Sequence, residues 1–174
     1  MEQNPEIIKV MAAENSETLT YLLKVVPKLK PDEFDRLIHP ISNSVSKQID
    51  CTKCANCCKS LEAGISDEEA FIIAEKMKIS IQEFNATYTL QEDQSNIRFI
   101  KDKPCPLLQD NKCSIYDSRP MACSTFPGFE RPLLKYKFRS IAAHYSICPI
   151  VYHTFEILKV HFTTNATNER TSKQ

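Results

Sequence analysis

Glycine is almost absent from this chain. Its 174 residues contain only Gly64 and Gly128, and neither belongs to a G-x-G-x-x-G or Walker A pattern. Those patterns need several glycines, because the backbone must come close to the phosphates of a nucleotide. We therefore exclude a nucleotide site built on a glycine-rich loop. A glycine-rich S-adenosylmethionine loop is missing for the same reason.

Long apolar segments and an excess of one charge are also missing. No segment approaches 18 consecutive apolar residues, and the N-terminal MEQNPEIIKVMAAEN has no basic stretch followed by an apolar run. Lys plus Arg and Asp plus Glu balance at 22 each, so the overall charge does not favour nucleic acid or an anionic membrane as a partner. We expect a soluble cytoplasmic protein without a membrane partner.

The pattern of apolar residues predicts a mainly α fold with a small β element (α+β), forming a single compact domain organised around a cysteine metal cluster. Residues 1–49 predict a helical segment with an apolar stripe interrupted at Pro40. Two capping boxes, Ser66 with Glu69 and Ser80 with Glu83, predict further helices. We expect residues 1–49 to belong to the same domain as a cysteine-cluster region at 50–162, followed by a disordered tail at 163–174.

Two later segments predict strands. The pieces RFIK and CSIY, with the turn residues QDNK between them, indicate a small hairpin with Cys105 and Cys113 at its shoulders. Leu134, Tyr136 and Phe138 alternate with basic residues, which predicts a half-buried strand. Interleaved basic and aromatic residues also occur in proteins that bind single-stranded nucleic acid, but the neutral chain favours a plain strand.

Cysteine is the residue that carries most of the chemical information. The stretch DCTKCANCCKS places four of the eight cysteines within eight residues, as Cys51, Cys54, Cys57 and Cys58. A reducing cytoplasm keeps such residues as thiols, which leaves metal binding, catalysis or burial as their roles. A C-x2-C spacing lets two thiolates point at one ion, so the run predicts a metal site.

The other four cysteines are single and widely spaced, and each alone could be a small buried apolar residue. Together with the first four they predict a set of eight metal ligands: Cys51, Cys54, Cys57, Cys58, Cys105, Cys113, Cys123 and Cys148. Because successive side chains diverge, the adjacent pair favours either two metal atoms or one ligand beside one packed thiol. Residue types do not separate zinc from iron, and an iron–sulfur cluster is included, since C-x2-C-x2-C is also a ferredoxin fragment.

One cation and one aromatic ring stand close to these cysteines in the sequence. Arg119, in CSIYDSRP, could hold a substrate carboxylate or phosphate, or it could pair with Asp117 or Asp50 and fix the loop. We favour the structural role. Tyr116 is interpreted as a core ring and not as an acid or base.

These segments carry a family resemblance. The pieces CTKCANCC (51–58), PCPLL (104–108), CSIYDSRPMAC (113–123) and TFP (125–127) resemble the bacterial YkgJ-like family, whose cysteine clusters are described as chelating zinc or iron. The resemblance runs from about residue 50 to about residue 150 and implies metal binding through the matched cysteines. Two positions depart from it: Ala55 stands where glycine often follows the second cysteine, and Ser124 where arginine often follows Cys123.

The function predicted from these observations is a metal-binding protein that chelates zinc or iron. One alternative is an enzyme, either an iron–sulfur oxidoreductase or a protein similar to lysine N-methylases; the other is a metal-stabilised interaction module. The sequence contains no CxxxCxxC triad, the cysteine spacing that would suggest radical chemistry. The sequence assigns no catalytic residue and no protein partner.

Overall fold

The structure is a computed structural model that describes residues 1–91 and 97–171, with side chains described as far as Thr164. The helices in chain order are α1 (Pro5–Glu14), α2 (Ser16–Val25), α3 (Pro31–Ser46), α4 (Cys51–Cys54), α5 (Asn56–Ser60), α6 (Asp67–Met77), α7 (Ile81–Tyr88), α8 (Met121–Ser124), α9 (Phe138–Ala142) and α10 (Pro149–Thr171). The strands are β1 (Gly64–Ser66), β2 (Thr89–Gln91), β3 (Ile97–Ile100), β4 (Leu108–Gln109) and β5 (Lys112–Cys113).

The predicted fold class is confirmed: the protein is mainly helical with small antiparallel sheets. The chain forms two compact units, the first made of residues 1–50 and 127–174 and the second of residues 51–126. No helix in the described part of the chain is long and apolar enough to cross a membrane.

The first unit is helical. Asn4 caps α1 through its side chain, and α3 opens with Pro31 at its first position, where a missing N–H costs nothing. Aromatic rings form its core, with Phe138 lying edge-on to Phe34 and stacked on Phe155 at a centroid distance of 4.9 Å. Packing of these large rings holds the helices together.

Two predictions on this unit are wrong. Helix α3 continues through Pro40, because its buried face, with Phe34 and Val45 on either side of the proline, keeps the helix packed. The predicted strand at 134–139 is helical: Leu134–Lys137 is a 3-10 helix that continues into α9. Leu134 and Phe138 are buried at helical spacing, whereas Tyr136 is 70% exposed.

The second unit combines two small sheets with α6 and α7. Strand β3 lies in the centre of an antiparallel sheet of order β1-β3-β2, and β4 pairs with β5. The predicted capping box of Ser66 and Glu69 is present at the start of α6, and the Ser80 side chain accepts a hydrogen bond from the Glu83 backbone at the start of α7. Their apolar faces meet in one core, made of Ile65, Ala70, Ile73, Ala74, Phe84, Ile100, Leu107 and Ile115.

The predicted hairpin is the β4–β5 pair. Asp110 and Asn111 both adopt positive φ at its turn, 47° and 62°, as a two-residue hairpin of right-handed twist requires. The division into segments 1–49, 50–162 and 163–174 stays a prediction. Helix α10 covers 163–171 of the predicted disordered tail, and 172–174 lie outside the described residues.

Candidate metal centre

Two very short helices present the first four cysteines. Helix α4 contains Cys51 and Cys54, helix α5 contains Cys57 and Cys58, and Ala55 between them adopts a left-handed conformation with φ 50° and ψ 14°. A left-handed residue of this kind ends a helical turn, which explains why glycine suits the position. Cys51 is exposed, Cys54 is buried, and the adjacent pair is half-buried.

The adjacent cysteines lie side by side. The Sγ atoms of Cys57 and Cys58 are 3.9 Å apart. Two thiolates on one tetrahedral zinc ion, each about 2.3 Å from the metal, stand about 3.8 Å apart. The pair therefore does not need to be divided between two metal atoms, which was one of the two arrangements favoured by side-chain divergence.

The hairpin brings the next two cysteines to the same place. The backbone N–H of Cys105 donates to the carbonyl of Cys58 at 2.8 Å, and the Cys105 carbonyl accepts from Leu108 at the start of β4. Cys113 lies in β5, opposite Leu108. Both cysteines pack against the core of the second unit, so a well-packed scaffold positions them.

Helix α8 supplies Cys123. The backbone N–H of Met121, its first residue, donates to Oε1 of Glu69 at 2.7 Å, while Oε2 of Glu69 accepts from the Ser66 backbone at 2.8 Å. The Cys123 backbone N–H donates to the carbonyl of Pro120 at 2.9 Å. The sequence predicted Glu69 only as part of a capping box. Its hydrogen bond with Met121 of α8 joins residues 52 positions apart, so no local sequence pattern could predict it.

The thiols share one electrostatic environment. The pKa of Cys58 is lowered to about 6, chiefly by the hydrogen bond with Cys57 and also by the charges of Arg119 and Lys59. The pKa of Cys123 is raised to about 12, chiefly by burial and also by negative charge at Cys58, Cys105 and Cys113. Such coupling requires that these sulfurs lie near one another.

Burial also raises the pKa of the three remaining thiols in this group. For Cys54, Cys105 and Cys113, desolvation is the largest cause, and negative charge at Cys58 adds to it. Cys58 thus interacts electrostatically with each of four thiols, and its sulfur also contacts that of Cys57. The four are Cys54, Cys105, Cys113 and Cys123. A bound cation would remove the repulsion among these sulfurs, because metal ions bind thiolates and not thiols.

Arg119 is held by its neighbour Tyr116. Its Nε donates to the Tyr116 carbonyl at 2.9 Å, and its guanidinium carbon lies 3.6 Å from the centroid of the Tyr116 ring. The interpretation of Tyr116 as a core ring is wrong, since the residue is 44% exposed and serves as a platform for the cation. Arg119 lowers the pKa of Cys58, Cys113 and Cys123, so its charge acts on the thiols.

Cys51 and Cys148 complete the set of eight predicted ligands. Cys51 is exposed at the start of α4. Cys148 lies in the first unit, immediately before α10, where its N–H donates to the carbonyl of His144 at 2.9 Å. The ligand roles of both stay predictions.

A cleft opens beside the thiols of the second unit. It encloses about 520 Å³ of empty space, its open mouth included. Four cysteines line it, together with apolar and acidic residues from the segments around them: Cys57, Cys58, Leu61, Glu62, Ala63, Ile100, Asp102, Cys105, Ala122, Cys123 and Phe126. Thiols that border a cleft can be reached by an ion from solvent.

The donor atoms fit zinc or iron in type. Six thiols, those of Cys54, Cys57, Cys58, Cys105, Cys113 and Cys123, are linked through Cys58. Thiolate sulfur is the donor that zinc and iron–sulfur clusters prefer. In the described part of the chain, no group of three or more His, Cys, Asp or Glu side chains already stands close enough to hold an ion. Binding therefore requires the thiols to deprotonate and draw together.

Comparison with known protein families gives a match over the cysteine-containing region. The model of the CxxCxxCC family, described as "Putative zinc- or iron-chelating domain", matches residues 50–149. This range covers all eight cysteines. No curated protein and no solved structure gives a significant match.

Proposed function

The chain belongs to the CxxCxxCC family of zinc- or iron-chelating domains, and we propose that it binds its metal through a thiolate centre in residues 51–126. The proposed ligands come from the six linked thiols: Cys54, Cys57, Cys58, Cys105, Cys113 and Cys123. Cys58 is the central ligand, because each of the other five interacts with it.

The observation that carries this proposal is the convergence of distant cysteines. Cys58, Cys105 and Cys123 come from three separate segments, yet they border one cleft. Buried cysteines that merely fill space have no reason to gather from across a chain, whereas a metal site requires it. Arg119 and Lys59 place positive charge near the thiolates and offset part of their repulsion.

Elemental analysis of protein purified without oxygen tests the proposal. We expect about one or more equivalents of zinc or iron per chain, and less than about half an equivalent would refute it. Cys58→Ser and Cys105→Ser are expected to lose metal. Ser114→Ala, an exposed change next to Cys113, is the matched control and should keep the metal content of the unchanged protein.

An iron–sulfur cluster is the second candidate for the occupant. One tetrahedral ion uses four thiolates, and six linked thiols exceed that number. The excess supports a second ion. An iron–sulfur cluster, which also takes four thiolates, is supported by the ferredoxin-like spacing of Cys51, Cys54 and Cys57, and a redox-active cluster would allow an oxidoreductase activity. Visible absorption that dithionite bleaches would support this candidate, and a colourless protein containing only zinc would exclude it.

The proposed role of the cysteines supports a reducing compartment as the place of action. Metal ions bind thiolates, which form only from cysteines that are kept reduced. Thiols of this number persist in the cytoplasm, where disulfides are rare. We therefore place the proposed function in the cytoplasm, and detection of the metal-loaded protein in a cytosolic fraction would test this.

A further inference from the structure

The cleft beside the thiols is larger than a metal ion needs. About 520 Å³ of empty space lies at the cleft, with the open solvent at its mouth included, and the lining extends beyond the cysteines to apolar and acidic side chains. Five apolar side chains contribute to its lining, with Phe126 supplying an aromatic ring: Leu61, Ala63, Ile100, Ala122 and Phe126. A surface of this kind favours an apolar molecular body.

The charged residues that line the cleft are both acidic. Glu62 forms an ion pair with Lys103, with Oε1 and Nζ 2.8 Å apart, so part of its charge is already compensated. Asp102 makes no ion pair within the described part of the chain and is exposed at the cleft. No lysine, arginine or histidine is among the described residues that line it. The charged side chains of the lining therefore favour a cation at Asp102, whereas Arg119 and Lys59 place positive charge near the Cys58 thiol.

We infer that this cleft binds a small organic cation, with an apolar body against the Phe126 side and a positively charged group near Asp102. The inference rests on the proposed function in one respect: metal-bound thiolates add to the negative charge, since one Zn²⁺ with four thiolates carries 2 − 4 = −2. Asp102 follows strand β3, and Ile100 of that strand donates its N–H to the Ala63 carbonyl, so this side of the lining does not depend on the metal. The metal centre and the bound organic cation would then lie next to each other in one cleft.

Three ligands with one ring and different charges test this inference: benzylamine, benzyl alcohol and phenylacetate. Binding to the full chain is measured by nuclear magnetic resonance titration, once with the metal-loaded and once with the metal-free protein. We expect benzylamine to bind about five- to tenfold more tightly than benzyl alcohol, and phenylacetate to bind most weakly. The preference for the amine should shrink as salt is added.

The variant Asp102→Asn removes the negative charge at this position while it keeps the shape of the side chain. Asparagine tolerates the positive φ of 72° at this position, so the fold should persist. In the metal-free protein we expect benzylamine to fall to the affinity of benzyl alcohol, with the alcohol unchanged, and in the metal-loaded protein we expect a smaller preference for the amine. Asp110→Asn is the matched control, because Asp110 is also exposed with positive φ but does not line the cleft. Ala122→Trp should fill the cleft and weaken all three ligands.

The outcomes separate this inference from the metal proposal. Equal binding of the three ligands, tighter binding of phenylacetate, or no binding to a protein that holds its metal would overturn the cation site and leave metal chelation standing. Binding of benzylamine to a protein that takes up no metal would support the cation site and refute chelation. An unchanged charge preference in Asp102→Asn would also overturn the inference.

Discussion

The carboxylate of Glu69 ties helix α6 to the segment that carries Cys123. One oxygen accepts the backbone N–H of Ser66 at 2.8 Å, and the other accepts that of Met121, the first residue of α8, at 2.7 Å. A negative charge at a helix N-terminus is favourable, so the same side chain stabilises two helices at once. The position of the Cys123 thiol therefore depends on a residue whose carboxylate binds backbone N–H groups.

Replacing Glu69 should weaken metal binding more than its effect on stability explains. Glu69→Ala removes both acceptors and frees α8, and we expect a tenfold or larger loss of metal affinity, the usual scale for residues that orient ligands. Glu69→Gln keeps one carbonyl acceptor and should give a smaller loss. Competition with a chromogenic chelator measures both.

Ser80→Ala provides the matched control. The Ser80 side chain caps α7 by accepting the Glu83 N–H at 3.1 Å, so its loss costs about 1 kcal/mol of stability without contact to α8. We expect its metal affinity to stay near that of the unchanged protein. If it falls as far as in Glu69→Ala, Glu69 acts through stability alone and the prediction is wrong.

Ala55→Gly is expected to keep or raise stability. A left-handed conformation costs an L-residue about 1–2 kcal/mol, which glycine avoids. The added freedom of the unfolded chain and the loss of one buried methyl group offset part of this gain. We expect the free energy of unfolding to stay unchanged or rise by up to about 1 kcal/mol in urea denaturation.

Replacing an alanine within a regular helix by glycine should change the free energy of unfolding in the opposite direction. Ala86 is exposed within α7, and Ala86→Gly should lower the free energy of unfolding by about 1 kcal/mol. A loss of the same size in Ala55→Gly would show that the left-handed conformation carries no strain.

Features with a local cause were predicted well from the sequence. Ser66 and Glu69 stand three residues apart and form the predicted capping box, and QDNK makes the predicted hairpin turn. Ala55 occupies a position where the family resemblance expects glycine, and its positive φ gives the reason. In each case the relevant contacts lie within a few residues of one another.

Features with a distant cause were missed. The segment at 134–139 alternates like a strand, but the Asp35 carboxylate accepts the N–H groups of Leu133 at 2.6 Å and Leu134 at 2.9 Å and so caps a helical turn. The contact between Cys105 and Cys58 is likewise set by packing of the whole unit. The spacing of the cysteines identified them as candidate ligands, but it did not predict which of them lie close together in the fold.

Cys58 should be the most reactive thiol of the metal-free protein. With a pKa lowered to about 6, it is mostly thiolate at pH 7.5, whereas Cys123, with a pKa raised to about 12, is thiolate in only on the order of 10⁻⁵ of molecules. Brief treatment with iodoacetamide and peptide mass spectrometry should show Cys58 labelled first, with a rate that falls as pH drops through 6.

Cys57→Ala tests the cause of that reactivity. The hydrogen bond with Cys57 is the largest cause of the lowered pKa, so removing it should move the labelling midpoint of Cys58 to higher pH. Lys112→Ala, a change elsewhere on the surface, should leave the midpoint in place. A midpoint that stays near 6 in Cys57→Ala would mean that Arg119 and Lys59 set the pKa instead.

Removal of the metal should loosen the cysteine segments and leave the apolar core of the second unit folded. Helices α4 and α5 have four and five residues, too few to persist without tertiary support, so their order depends on what binds the thiols. Helix α6 rests on Ile65 and Phe84, whose burial needs no metal. After chelation, hydrogen exchange at 51–60 and 121–124 should speed up about 100-fold or more, while amides of α6 keep their protection. Uniform loss of protection would show that metal binding supplies the folding energy of the whole unit, and unchanged exchange throughout would show that the metal does not order these segments.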